Sequence, residues 1–151
     1  MQGLQADQKL RQAWMGQLAK APSDNLAKLF DSFVKQPEFT WLQAPEIGAV
    51  MVRGRAGGTG AQFNLGEMTI TRCALRLASG EVGHAYVQGR DKAHAQRAAL
   101  VDALMQTDQA PALQSAILGP LAAEAAARNT ARAQKAAATK VEFFTMMRGE
   151  D

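Results

Sequence analysis

The stretch Glu81-Val82-Gly83-His84-Ala85-Tyr86-Val87-Gln88-Gly89-Arg90-Asp91-Lys92-Ala93-His94-Ala95-Gln96-Arg97-Ala98-Ala99-Leu100-Val101-Asp102-Ala103-Leu104-Met105 changes period once. It reads as a strand ending at Gln88, a short turn, and a helix capped by Asp91, whose carboxylate can accept backbone N–H groups that lack a partner in the first turn. At about 100° per residue, Leu100, Val101, Leu104 and Met105 form one apolar stripe. Continued towards the N-terminus, the stripe passes through Arg97 and His94. A guanidinium and an imidazole on the inward face, beside the positive end of a helix and next to Arg90, make a candidate anion site. A plainer reading stands beside it, in which Arg97 lays its stem on apolar surface and His94 bonds a nearby carbonyl. Lys92 projects away from the stripe as a solvated charge.

Upstream of that unit the residues keep a strand-like character. Phe39–Leu42, Ile47–Arg55, Glu67–Leu77 and Glu81–Gln88 read as strands, punctuated by Ala56-Gly57-Gly58-Thr59-Gly60 and Ala78-Ser79-Gly80. Short turns between consecutive strands imply an antiparallel sheet. Alternation puts Thr69, Thr71, Cys73, Leu75 and Leu77 on one face and Met68, Ile70, Arg72, Ala74 and Arg76 on the other. Cys73 is expected to pack as a small apolar residue, with nothing nearby to activate its thiol. His84 shares a strand face with Val82 and Tyr86 and is expected to be a hydrogen-bonded structural histidine.

Both ends of the chain read as helical. Leu10, Trp14 and Leu18 recur at four-residue steps, and Leu26, Leu29, Phe30, Phe33 and Val34 mark a second amphipathic helix after the break at Pro22-Ser23-Asp24. Beyond the central helix, Pro111 and Pro120 bracket a short helical piece at Ala112–Leu118. Leu121–Thr139 is alanine-rich, a strong helix former with little bulky surface to hold it on a core. The ending Val141-Glu142-Phe143-Phe144-Thr145-Met146-Met147-Arg148 is apolar, so Val141, Phe143, Phe144 and Met146 are candidates for docking a partner, or for a last strand of the chain's own sheet. The fold class is therefore α+β in one domain over 1–151: a helical hairpin (1–36), an antiparallel sheet of about four strands (39–88), helices (89–139) and an apolar tail (140–151).

Composition narrows the function. With 151 residues, 47% hydrophobic and 21% charged, the chain is an ordinary globular domain that buries roughly 70% of its unfolded surface. No run approaches the roughly 20 apolar residues of a membrane span, and Met1–Lys9 carries no apolar signal region, so no membrane association and a cytoplasmic location are expected. A single cysteine suits a reducing compartment. The net charge of +3 is small, the cations are spread out, and aromatics are only 6%, which argues against a nucleic-acid partner. A small nucleic-acid-binding domain using Arg53 and Arg55 is kept as an alternative.

Motifs for self-sufficient catalysis are missing. Gly57-Gly58-Thr59-Gly60 resembles a phosphate-cradling loop, but no Lys-Ser/Thr follows and the next segment reads as strand. Arg53, Arg55 and Arg72 would line a shared anion surface only if the hairpin folded them together. The two histidines have no carboxylates at ligand spacing, so no metal site is expected, and no serine sits in a nucleophile elbow.

With these residues collected, the sequence resembles the PhnG family, the G subunit of the bacterial carbon–phosphorus lyase core complex. The stretches that carry the resemblance are Arg11–Met15, Pro45–Gly48, Arg55–Gly60 with Phe63 and Gly66, Thr71-Arg72, Tyr86–Ala95 with Arg97–Leu100 and Asp102–Gln106, and the ending Val141, Phe143–Met146 and Arg148-Gly149. The resemblance implies a subunit required for transferring the ribosyl triphosphate of ATP to methylphosphonate with release of adenine, in organic phosphonate catabolism. It implies that the main catalytic residues lie on a partner, that this chain carries no cofactor of its own, and that ATP and methylphosphonate are substrates of the complex. Its implied partners are the H, I and J subunits, the I subunit most directly. Within that frame the anion-binding candidates are Arg90, His94, Arg97, Arg55 and Arg72, and a purely architectural role is the competing reading.

Overall fold

The computed structural model describes the backbone of residues 2–148 and the side chains of residues 3–140. Its elements run α1 (Gln2–Lys20), α2 (Ser23–Phe33), β1 (Phe39–Arg55), β2 (Gln62–Leu77), β3 (Val82–Gln88), α3 (Lys92–Leu104), α4 (Ala110–Leu113), a π turn over Gln114–Leu118, and α5 (Gly119–Arg148). The strands form one antiparallel meander in the order β1-β2-β3. This is the expected α+β class with a helical hairpin first. Among the described residues no helix is long and apolar enough to cross a membrane.

The sheet has three strands, where about four were expected. Phe39–Leu42 and Ile47–Arg55 are one strand, β1, which runs through Pro45 with register shifts between Trp41 and Gln43 and between Gln43 and Glu46. Pro45 suggests a break because it has no N–H for a sheet ladder, but β1 is an edge strand and the irregularity absorbs the missing donor. Strand β2 also begins earlier than Glu67. Gln62–Gly66 joins it past a third register shift, opposite Val52/Arg53. The hairpin is consequently much longer than the strand that flanks it.

Helix α3 is the centre of the core. His94, Ala95 and every residue from Ala98 to Leu104 are buried, so this helix is enclosed on nearly all sides rather than along one stripe. It lies on β2 and β3 and is covered by α1 and α2. Gly83 permits the approach: a Cβ there would overlap the carbonyl oxygen of Ala99 and the Cβ of Ala103. Around it pack Leu18, Leu26 and Phe30 from α1 and α2, Leu75, Leu77 and Val87 from the strands, and Leu113, Ile117 and Leu118 from the C-terminal turns. Cys73 is buried as expected; its thiol donates to the Ala95 carbonyl at 3.3 Å, and burial pushes its pKa up to about 11.

The short helical piece expected at Ala112–Leu118 is present as α4 and the π turn, and it runs without a break into α5. Pro111 stands in the first turn of α4, where an absent N–H removes no helical bond, and Pro120 closely follows the π turn, whose wider winding precedes the position with no N–H. Helix α5 continues through 141–148, so the tail is the end of a helix and not a strand of the sheet. The side chains of Val141, Phe143, Phe144 and Met146 lie outside the described residues. Leu121 is buried, whereas the helix is wholly exposed from Asn129 to Lys140.

Candidate functional site

The turn from β3 into α3 is held from three directions. The Gly89 N–H donates to the Thr69 carbonyl at 2.9 Å, and the buried Thr71 hydroxyl donates to the Gly89 carbonyl at 2.7 Å. Asp91 caps α3 as expected, one carboxylate oxygen accepting the His94 N–H at 2.9 Å. Its other oxygen accepts the Ser23 hydroxyl at 2.6 Å, tying the start of α3 to the start of α2. The Ser23 bond, then the His94 N–H, and then the positive fields of His94 and Arg97 hold the Asp91 pKa below the usual carboxylate value.

His94 takes the plainer of its two expected roles. It is buried, and its Nε2–H donates to the Leu18 carbonyl at 2.8 Å, joining α3 to α1. The partner is a carbonyl, which only accepts, so Nε2 carries the proton in this bond. Its rim still borders a groove of about 770 Å³, together with Lys20, Tyr86, Gln88, Arg90 and Asp91. Arg90 is exposed there. Arg97 is half-buried on α3 and does not line that groove.

Arg72 and Arg55 are not brought together. Arg72 stands opposite Glu46 on β1 and opposite Tyr86 on β3, whereas Arg55 pairs with Gln62, nine positions further along β1. At about 3.4 Å per residue that separates them by roughly 30 Å. Register therefore overturns the shared surface proposed for Arg53, Arg55 and Arg72. Arg72 instead faces Glu46 at 3.5 Å, an exposed pair of little energetic weight.

The best-connected polar group was not singled out from the sequence. Asp102 is fully buried in α3 and accepts four hydrogen bonds: from Arg11 Nε at 3.1 Å, Arg11 Nη2 at 2.9 Å, Trp14 Nε1 at 2.8 Å and the His84 backbone N–H at 2.9 Å. Arg11 Nη2 also donates to the Val82 carbonyl at 3.1 Å. The hydrogen bond that Arg11 donates to Asp102 raises the Arg11 pKa further above its ordinary value. One carboxylate thus binds α1 and β3 to α3. The available signal was a lone acid inside an apolar helical run, which requires a donor set elsewhere in the chain.

The His84 side chain points the other way, because alternation along β3 buries Gly83, Ala85 and Val87 and exposes His84 and Tyr86. Only its backbone is held by Asp102; its side chain is exposed beside Tyr86, which corrects the expectation of a hydrogen-bonded structural imidazole. A pocket of about 190 Å³ lies next to them, closed by Met15, Gly16 and Ala19 of α1. The sheet face opposite α3 thus presents Arg72, His84 and Tyr86, the last two beside the flank of α1. Among the described residues no three His, Cys, Asp or Glu side chains cluster as metal ligands.

The family model described as "Phosphonate metabolism protein PhnG" matches residues 9–149. The chain belongs to the PhnG family. A relative from Rhizobium meliloti (strain 1021), named alpha-D-ribose 1-methylphosphonate 5-triphosphate synthase subunit PhnG, is 45% identical over 141 residues, covering 93% of this chain and 90% of the relative. The resemblance drawn from the sequence is therefore borne out. In this PhnG-family chain two of the stretches that carried it, Arg11–Met15 and Tyr86–Gln106, meet at the buried Asp102.

Proposed function

We propose that this chain is a subunit of alpha-D-ribose 1-methylphosphonate 5-triphosphate synthase, required for transfer of the ribosyl triphosphate of ATP to methylphosphonate with release of adenine. The observation that carries this reading is the 45% identity to a subunit of that name, extending over 93% of the chain. It acts in the cytoplasm as one part of a heteromeric transferase in phosphonate catabolism, with the H, I and J subunits as partners and the I subunit in most direct contact. ATP and methylphosphonate are substrates of the assembly, the main catalytic residues belong to a partner, and this chain brings no cofactor.

The chain's own contribution to substrate is cationic. Arg90 and Lys20 border the groove beside α3, and Arg72 stands next to Tyr86 on the adjoining sheet face, an arrangement suited to a polyphosphate chain at a subunit boundary. Arg97 and His94 act behind them by steadying Asp91 and the α1–α3 contact, and Arg55 lies too far along β1 to share the same ligand. The helical tail, with Val141, Phe143, Phe144 and Met146, docks against a partner.

The test is adenine release from ATP and methylphosphonate by the synthase assembled with and without this chain. Release that requires the chain, and that falls when Arg90→Gln and Arg72→Gln are combined, is expected. Full activity without the chain, or turnover by the chain alone, would overturn the proposal.

A further inference from the structure

Among the described residues three polar side chains are buried: Thr71, His94 and Asp102. Asp102 ties the layers of the core together, whereas the other two each act next to a cation of the groove beside α3. Lys20 and Arg90 border that groove, one from the end of α1 and the other from the β3–α3 turn. His94 donates to the Leu18 carbonyl, two residues before Lys20, and Thr71 donates to the Gly89 carbonyl, one residue before Arg90. Neither cation belongs to an ion pair among the described residues. Asp91 is the one acid among the described residues that borders the groove, and its two oxygens are taken by the Ser23 hydroxyl and the His94 N–H.

The Thr71 bond is the less expected of the two. Thr71 lies inside the central strand β2, paired with Ile47 on one side and Val87 on the other, and is wholly buried. Such a position ordinarily holds an apolar β-branched side chain, and Val has nearly the shape of Thr without a hydroxyl to satisfy. The hydroxyl reaches past the last paired residues, Ile70 and Gln88, to a glycine whose φ is +96°. At that φ the chain leaves the ladder, so a side chain supplies the donor that the carbonyl needs. The Gly89 N–H still joins the Thr69 carbonyl at 2.9 Å. Both polar groups of Gly89 are thus fixed to β2, and Asp91 is fixed to α2 and α3. Arg90 stands between two anchored residues with its side chain exposed.

We infer that Thr71 is a positioning residue for the transfer reaction: its hydroxyl, acting through Gly89, sets where Arg90 meets the triphosphate of ATP. The inference rests on the reading of Arg90 as a phosphate contact and adds a buried residue that touches no substrate itself. Thr71→Val removes the donor and leaves the Gly89 carbonyl without its partner, so the turn shifts to find another and Arg90 loses its fixed starting point. A guanidinium grips two phosphate oxygens only in a planar, two-pronged geometry, so a small displacement weakens the grip. The chemistry on the partner subunit is untouched. The signature is therefore a raised KM for ATP at the parent kcat, because a contact to the triphosphate is held alike in the ground and transition states.

The experiment measures adenine release by the assembled synthase at varied ATP and saturating methylphosphonate. Arg90→Gln is expected to raise KM for ATP about tenfold or more, the scale of losing a hydrogen bond to a charged group. Thr71→Val is expected to raise it at least about threefold with kcat unchanged, and Thr71→Ser to restore the parent value. Thr71→Val should add nothing in the Arg90→Gln background, since both act on one contact. Gly89→Ala brings a Cβ within 4 Å of no other atom but strains the backbone at φ +96°, so it should act as Thr71→Val does. It supplies the reading if circular dichroism shows that Thr71→Val does not fold. Parent KM in Thr71→Val beside a raised KM in Arg90→Gln would overturn the inference and leave Arg90 in the site. Additive effects of the two changes, or a lowered kcat at the parent KM, would make the hydroxyl merely structural and also overturn it. Parent KM in Arg90→Gln would remove Arg90 from the substrate and this inference with it, while a requirement of adenine release for the chain would still stand.

Discussion

The base of the β1–β2 hairpin and its outer arm share one continuous pairing and differ in what lies beside them. At the base, Phe39 and Trp41 pack against the core with their rings edge to face, centroids 4.9 Å apart, and Cys73, Leu75 and Leu77 are buried under α3. In the arm the same strands present Val50, Phe63 and Leu65 to solvent. Backbone pairing alone does not decide which half is stable; side chains buried against a second layer do, at about 1.5–3 kcal/mol for each large apolar residue. The base belongs to this protein's core, and the arm stands outside it, with none of residues 49–69 buried.

That contrast breaks most decisively at Asp102. Asp102→Ala leaves the Arg11 guanidinium, the Trp14 indole N–H and the His84 N–H without their acceptor, and a loss of about 3–5 kcal/mol is expected in urea unfolding of the isolated chain. A change below about 1 kcal/mol would show that the carboxylate does not hold the layers together. Next comes Gly83→Ala, where the added methyl meets the Ala99 carbonyl and must push α3 off the sheet. A cost of about 1–3 kcal/mol is expected from the resulting overpacking, read from the same unfolding curves. By contrast F63S/L65S in the arm, away from any buried contact, should change stability by no more than about 0.5 kcal/mol per site.

The smallest body effect belongs to the helix cap. Asp91→Ala should cost about 0.5–2 kcal/mol at neutral pH. The folded-state pKa of Asp91 is depressed, so its stabilisation is complete above the ordinary carboxylate value and is lost as pH falls through the lowered one. The difference between parent and Asp91→Ala should therefore shrink on acidification through that range. A difference independent of pH would mean that the hydroxyl of Ser23 and the helix start do not depend on the charge.

Local signals in the sequence were dependable where a single element decides the outcome. The helical hairpin followed from the spacing of Leu10, Trp14, Leu18, Leu26 and Phe30, the cap from Asp91, and the grouping of Thr71, Cys73, Leu75 and Leu77 on one strand face from their alternation. The strand count failed at Pro45, because sequence does not reveal that β1 is an edge where a proline is tolerated. His84 failed for a related reason: alternation gives its face, but only the sheet's layering shows that this face looks outward. Asp102 was visible as an acid in an apolar run, yet its donors sit at positions 11, 14 and 84.

What the sequence determined by itself is the α+β class, the helix and strand periods, the cap at Asp91 and the resemblance to the PhnG family, all of which depend on neighbouring residues or on the pattern of the whole chain. Tertiary structure alone decided that His94 fastens α3 to α1, that Arg55 and Arg72 lie far apart, and that the hairpin outruns the strand beside it. These are matters of register and layering. A one-residue shift in pairing turns each side chain to the other face, and a helix laid on one side of a sheet selects which face is core, so neither result is written in the local sequence.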